Sequence, residues 1–292
     1  MKHKLAASTS FEFLKYGLSD PPLESDCLSV KKDAFWSYCG PLLCTADDIP
    51  SSLHDWTQAV LSSSLLPLLL PFLTFVNNFV QANGLNHYWL TIRATKATTA
   101  YDKPRWHTDD LFFSRGGSGL REPPPPSSSP SPSPSPSHKK AKAKPKLDLQ
   151  TDWKLCATLL GPATMFIPAE HQASARATSR STKRALTTEH SCTSLRCAGC
   201  AATADAVRDQ LTTKLAPLGL VQAGVGECSF FRIGQEKGAV HSEPCMSRGD
   251  RIFVNVVPGR REELAGLVAK WGMSFPRSWW IAPNVLRGHE LR

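Results

Sequence analysis

The sequence lacks a cysteine framework, an internal repeat and any apolar run long enough to cross a bilayer. Nine cysteines among 292 residues fall short of disulfide-scaffold density, and an odd number leaves at least one unpaired. Lys2 and Lys4 lie close to the start, but no apolar h-region follows them, so no secretory signal is expected. These features predict a reducing, cytoplasmic setting with thiols mostly free. Formal charge is missing altogether between Trp56 and Ile92. Inside that stretch, residues 61–80 carry Pro67, Pro71, serines and asparagines. The longest segment there without a polar residue is nine long, Leu65 to Leu73, and includes both prolines. A span needs about 20. Buried helices packed on a sheet are therefore expected there, rather than a membrane anchor.

What is present is a surplus of positive charge and enough apolar residues for a core. The formal net charge is +9, and hydrophobic residues make up 41% of the chain, which excludes wholesale disorder. The surplus sits in two polar segments. Residues 115–150 hold seven basic residues against two acidic, and 171–200 hold five against one; the rest of the chain is formally neutral. A nucleic-acid groove should interleave basic residues with stacking aromatics on a folded surface. These segments have no aromatics, so nucleic acid is not expected as the main partner. Residues 123–137 are eight prolines and seven serines only, followed by lysines up to Lys146. Such a composition cannot bury apolar surface and predicts a solvated insertion at 115–150. The second polar segment, 171–200, reads as a similar insertion.

Elsewhere the pattern is mainly β, flanked by helices. The run Ser51 to Trp56 predicts a helix start. Residues 88–95, 153–160, 164–167, 229–233 and 251–257 are rich in β-branched and aromatic residues and read as strands, with Gly161-Pro162 as a turn. Residues 201–215 place Ala204, Val207, Leu211 and Leu215 on one helical face. Residues 262–271 predict a closing helix. The domain reading is a mostly helical flank at 1–85, a catalytic core at 86–260 interrupted by the two insertions, and a C-terminal helix and tail at 261–292.

The residues that could carry chemistry begin with His107 and Asp109. At i and i+2 on an extended chain they point to the same side and can ligate one metal. Asp110 is the alternative carboxylate, but its odd spacing aims it to the other face. His241 precedes a strong strand. Two histidines and one carboxylate, with open positions, suit non-haem Fe(II). Arg251 lies ten residues after His241. Its planar fork matches a carboxylate; Arg248 competes for that role. Trp89, Trp106, Phe112, Phe113, Phe230, Phe231 and Phe253 are candidate pocket walls, although aromatics on strands more often form core. Cys192, Cys197 and Cys200, with His190 nearby, offer at most a zinc half-site, since the later Cys228 and Cys245 form no second pair.

His107-Thr108-Asp109, then His241-Ser242-Glu243-Pro244 and Arg251, resemble the pattern of the Fe(II)/2-oxoglutarate-dependent oxygenases over roughly residues 86–260. Without the two polar segments, Asp109 and His241 are 66 residues apart, a spacing that accommodates the intervening strands of a double-stranded β-helix. With Leu160-Gly161-Pro162-Ala163-Thr164 and Val257-Pro258-Gly259 added, the chain looks like a group of fungal oxygenase-like proteins. Some similar fungal enzymes oxidise amino acids such as valine in secondary metabolism, including aziridine formation. The resemblance implies a jelly roll of cupin-like architecture, Fe(II) on His107, Asp109 and His241, 2-oxoglutarate on Arg251, O₂ as oxidant, and a small-molecule substrate that is hydroxylated, desaturated or cyclised. Many relatives carry Ser or Thr two residues after the arginine; Phe253 stands there instead. The alternative is a non-catalytic, cupin-like metal-binding or interaction protein that uses the Pro-rich loop.

Overall fold

The computed structural model describes residues 9–17, 28–99, 103–112, 153–187 and 198–264, apart from 248 and 262. Nine strands are β1 (Phe11–Lys15), β2 (Ala34–Pro41), β3 (His87–Thr95), β4 (Trp153–Leu160), β5 (Met165–Phe166), β6 (Val221–Gln222), β7 (Glu227–Arg232), β8 (His241–Ser242) and β9 (Arg251–Gly259). Among the described residues the four α-helices are α1 (Ser51–Val60), α2 (Leu66–Ala82), α3 (Gln172–Leu186) and α4 (Ala198–Leu215).

Six strands form one open sheet in the order β1-β7-β4-β9-β3-β2, and three short ones form a second, β6-β5-β8. Every pairing is antiparallel. The architecture is thus mixed α/β with a large, mostly antiparallel sheet that does not close.

Strand periodicity divides the large sheet into two chemistries. One face carries Leu90 and Ile92 of β3, Trp153 and Leu155 of β4, Phe230 of β7, and Ile252, Val254 and Val256 of β9. These residues pack with Leu69, Phe72, Leu73 and Val76 of α2 in one buried core. The opposite face carries Thr91, Lys154, Phe231, Arg251, Phe253 and Asn255, and the small sheet lies over it. Phe166 of β5 stacks on Phe11 at 4.8 Å between ring centroids, and His241 of β8 meets Phe231 at 4.9 Å. The chain is therefore layered: α1 and α2, the large sheet, then the small sheet with α3 and α4.

The uncharged stretch 61–80 falls on α2, as expected of a helix packed on a sheet. Pro67 sits in its first turn, where its missing N–H has no intrahelical acceptor to lose. Among the described residues no helix is long and apolar enough to cross a membrane.

The flank 1–85 carries α1 and α2 and also β1 and β2, the two edges of the large sheet. Two expectations need correction. The second polar segment is not a solvated insertion over its first part: residues 172–186 are the helix α3, which buries Gln172, Ala175, Ser179 and Thr182. On α4, Leu211 and Leu215 are buried and Val207 is half-buried, but Ala204 is exposed. The insertion 115–150, Cys192, Cys197, Arg248 and nearly all of the closing helix at 262–271 lie outside the described residues.

The turn after β4 requires its glycine. Gly161 has φ +80°, and a Cβ there would come within 2.0 Å of the Asp250 carbonyl oxygen. That close approach seats Pro162 and Thr164 against the start of β9.

Candidate metal centre

His107 and His241 are brought together by the backbone. Each donates its N–H to the other's carbonyl at 2.9 Å, the exchange of a hydrogen-bonded antiparallel pair. Their side chains therefore stand side by side, with ring centroids 4.4 Å apart. Two residues beyond His107, Asp109 returns to the same side, and its carbonyl accepts the Gly234 N–H at 2.7 Å.

The three side chains converge. Asp109 Oδ1 lies 3.7 Å from His107 Nε2, and Asp109 Oδ2 lies 3.7 Å from His241 Nε2. One ligand atom from each of the three residues lies within 4.8 Å of the other two. The second nitrogen of each ring sets the tautomer. His107 Nδ1 donates to the Arg105 carbonyl at 2.7 Å, and His241 Nδ1 to the Ala239 carbonyl at 2.9 Å. Both Nε2 lone pairs thus face Asp109, as backbone-oriented metal-binding histidines require. Ligand bonds of about 2.0–2.2 Å fit this spacing. The donor set of two imidazoles and a carboxylate, on one side of a cavity, fits a divalent transition metal with open positions. Asp110 takes no part: its carboxylate accepts from Gln235 Nε2 at 2.7 Å.

The electrostatics of this cluster were not legible in the sequence. Lys154 of β4 reaches Asp109 Oδ2 at 2.6 Å and lies 4.9 Å from the centre of the Phe231 ring. Burial alone would raise the Asp109 carboxyl. The Lys154 ammonium, then His241 and His107, outweigh that and hold it well below the usual carboxylate range. Burial pushes His241 down to about 4, so its ring is neutral at pH 7 and able to ligate.

The triad opens into a cavity of about 190 Å³. Its walls include Arg251, which is buried and held on three sides. Its Nε donates to the Pro162 carbonyl at 3.0 Å, Nη2 donates to Thr164 Oγ1 at 2.9 Å, and the guanidinium carbon sits 4.4 Å from the centre of the Phe253 ring. Burial pushes its pKa down to about 10, which still leaves it charged. Phe253 fills the Ser or Thr position of the resemblance and offers a π face in place of a hydroxyl. Among the other cavity residues, Arg93, Arg105, Thr91, Asn255 and Phe35 carried no signal in the sequence, and Glu243 entered it only as part of the His241-to-Pro244 motif. Arg105 and Glu243 form an ion pair there.

Of the expected pocket aromatics, Phe231 and Phe253 line this cavity, and Phe113 lies outside the described residues. Phe230 points to the other face of β7, where it stacks on Trp153 at 4.4 Å; its neighbour Phe231 faces the site. Trp89 is on the site face but meets Phe112 at 6.3 Å, away from the cavity. Trp106 packs with Met165, Ile167 and Leu211. Cys200 is exposed, and the described cysteines form no disulfide. Comparison with protein-family models, with curated proteins and with solved structures finds no match to this chain.

Proposed function

We propose that this chain is a non-haem Fe(II)/2-oxoglutarate-dependent oxygenase acting on a small molecule, with a jelly-roll core built from the two sheets. One observation carries the reading. Two tautomer-fixed histidines and one carboxylate share an edge of a cavity that also holds a buried guanidinium. His107, Asp109 and His241 would hold the metal. Bound Fe(II) would supply the redox chemistry, reducing O₂ while 2-oxoglutarate is decarboxylated to succinate and CO₂ and a substrate C–H bond is oxidised.

The chain's own residues do the rest. Arg105 and Ala239 carbonyls fix the imidazole tautomers. Arg251, with two of its five N–H groups already engaged, has donors left for the distal carboxylate of the co-substrate. Thr164 and Pro162 hold its fork in place. The aromatic walls Phe231 and Phe253 limit water.

A second reading has one observation in its favour. Lys154 already neutralises Asp109, so the cluster could be a metal-free ion-pair network in a non-catalytic protein. Metal analysis of anaerobically purified protein, with succinate release measured against small metabolites, separates the two. The oxygenase reading expects about one iron per chain and turnover that needs 2-oxoglutarate. It also expects Arg251→Ala to raise the KM for 2-oxoglutarate about ten- to one-hundred-fold with iron retained, in line with a charge-assisted pair of about 1.5–3 kcal/mol. Arg251→Lys should recover only part of this. An unchanged KM in Arg251→Ala would remove 2-oxoglutarate from the reading, and a loss in Arg248→Ala instead would move the anion site there.

A further inference from the structure

The site-facing side of the large sheet brings two guanidiniums together, each over its own ring: Arg251 over Phe253 and Arg93 over Phe35. Arg93 of β3 is directly opposite Phe253 of β9, and Phe35 of β2 is directly opposite Arg93. Arg251 stands two residues before Phe253, hence on the same face. Like charges placed this closely on neighbouring strands repel, and Arg93 is one of the charges that lowers the Arg251 pKa. Their grouping costs stability unless anions offset it.

The charges around the cavity do not balance. Arg105 is paired with Glu243, and Lys154 with Asp109. Arg251 is the guanidinium assigned to the co-substrate. Arg93 remains. It is exposed, leans over the Phe35 ring at 5.9 Å, and has no carboxylate partner among the described residues. A divalent ion on the triad adds two positive charges and a 2-oxoglutarate dianion removes two, so the surplus persists in the loaded site.

We propose that Arg93, backed by Phe35, anchors a carboxylate of the molecule to be oxidised. This rests on the oxygenase reading above and narrows its substrate class to small carboxylates with an apolar body. A planar fork held against an aromatic face presents its donors to a carboxylate and loses little entropy on binding. Phe35 and Phe253 provide apolar wall for the carbon skeleton. The cavity of about 190 Å³ is small beside drug-sized ligand sites of about 300–1,000 Å³, which suits a small substrate.

The test is calorimetry on the full chain loaded with Mn(II) and 2-oxoglutarate, titrated with isovalerate, L-valine and the uncharged isovaleramide. At least one carboxylate should bind, and isovaleramide should bind at least ten-fold more weakly than isovalerate. Arg93→Gln should weaken the carboxylates ten-fold or more while leaving Mn(II) and 2-oxoglutarate binding within two-fold; Arg93→Lys should recover part. Equal binding of isovalerate and isovaleramide overturns the proposal, as does failure of every probe. A loss of 2-oxoglutarate affinity in Arg93→Gln overturns it too, by making Arg93 the co-substrate's anchor. Wild-type protein that binds neither Mn(II) nor 2-oxoglutarate defeats the oxygenase reading instead. The same carboxylate titration on that unloaded protein then decides Arg93 separately: Arg93-dependent binding upholds the anchor, and its absence ends it.

Discussion

At the scale of the residue, the Lys154–Asp109 pair decides how the centre behaves without metal. Lys154 is buried and Asp109 half-buried, with its Oδ2 shut off from solvent, and the 2.6 Å contact gives each a counter-charge. Removing one partner of such a pair leaves an uncompensated buried charge, at a cost of about 3–5 kcal/mol. A divalent ion on the triad would supply that counter-charge again. Lys154→Met should therefore lower the melting temperature of the metal-free protein markedly. It should also enlarge the rise in melting temperature on adding Mn(II), compared with wild type. Thermal melts with and without Mn(II) check this. A variant as stable as wild type without metal would show that Asp109 does not depend on the ammonium. Nothing in the sequence announced Lys154. A lysine inside an apolar strand reads as a solvent-facing position, and only the pairing of β4 with β7 aims it at Asp109. Phe230 and Phe231 show the same limit: the sequence marks both as strand aromatics, but strand parity alone assigns them to opposite faces.

At the scale of the element, α3 shows why a polar segment misled the sequence reading. Its buried residues, Gln172, Ala175, Ser179 and Thr182, recur at helical spacing but are small or polar, so hydropathy hides the stripe. Charge obscured it further, since Arg176 and Arg180 lie between and Lys183 and Arg184 follow directly. The spacing of three, four and three was the available signal. The strands and α2 were legible because their buried faces are apolar, whereas α3 is held by hydrogen bonds. Gln172 is its main tether. Its Nε2 donates to the Ile167 carbonyl at 2.7 Å and the Val240 carbonyl at 3.2 Å, and its Oε1 accepts the Val240 N–H at 2.7 Å. The amide thus clamps the residue immediately before His241. Gln172→Leu would leave buried backbone groups unpaired at about 1–3 kcal/mol each. The expected result is a lower melting temperature together with weaker Mn(II) affinity, because the clamp positions His241. A lower melting temperature with unchanged Mn(II) affinity would limit Gln172 to holding the fold.

At the scale of the whole molecule, the centre lies on a seam. The three triad side chains come from the segment 103–112 and from β8, which belong to the small-sheet side. Arg251, Lys154 and Phe253 rise from the large sheet below. The two sides meet through the Phe11, Phe166 and Phe231 cluster and through the Thr164 and Pro162 contacts of Arg251. An ion bound only by the folded arrangement of His107, Asp109 and His241 stabilises the fold as a whole by mass action. At one hundred times its dissociation constant the gain is about 2.7 kcal/mol, or roughly 5–10 °C in melting temperature for a folded unit of this size. Mn(II), Fe(II) under nitrogen and Zn(II) should all produce such a rise. Mg(II), which disfavours imidazole, should produce far less. His107→Ala, Asp109→Ala and His241→Ala should each abolish the rise, because the ligands serve one ion. Asp110→Ala should keep it, since that carboxylate is bonded to Gln235 and faces away. A rise that survives Asp109→Ala but vanishes in Asp110→Ala would reassign the carboxylate. No rise in wild type with any of the three metals would leave Lys154 as the permanent cation of the cluster and end the metal-centre reading.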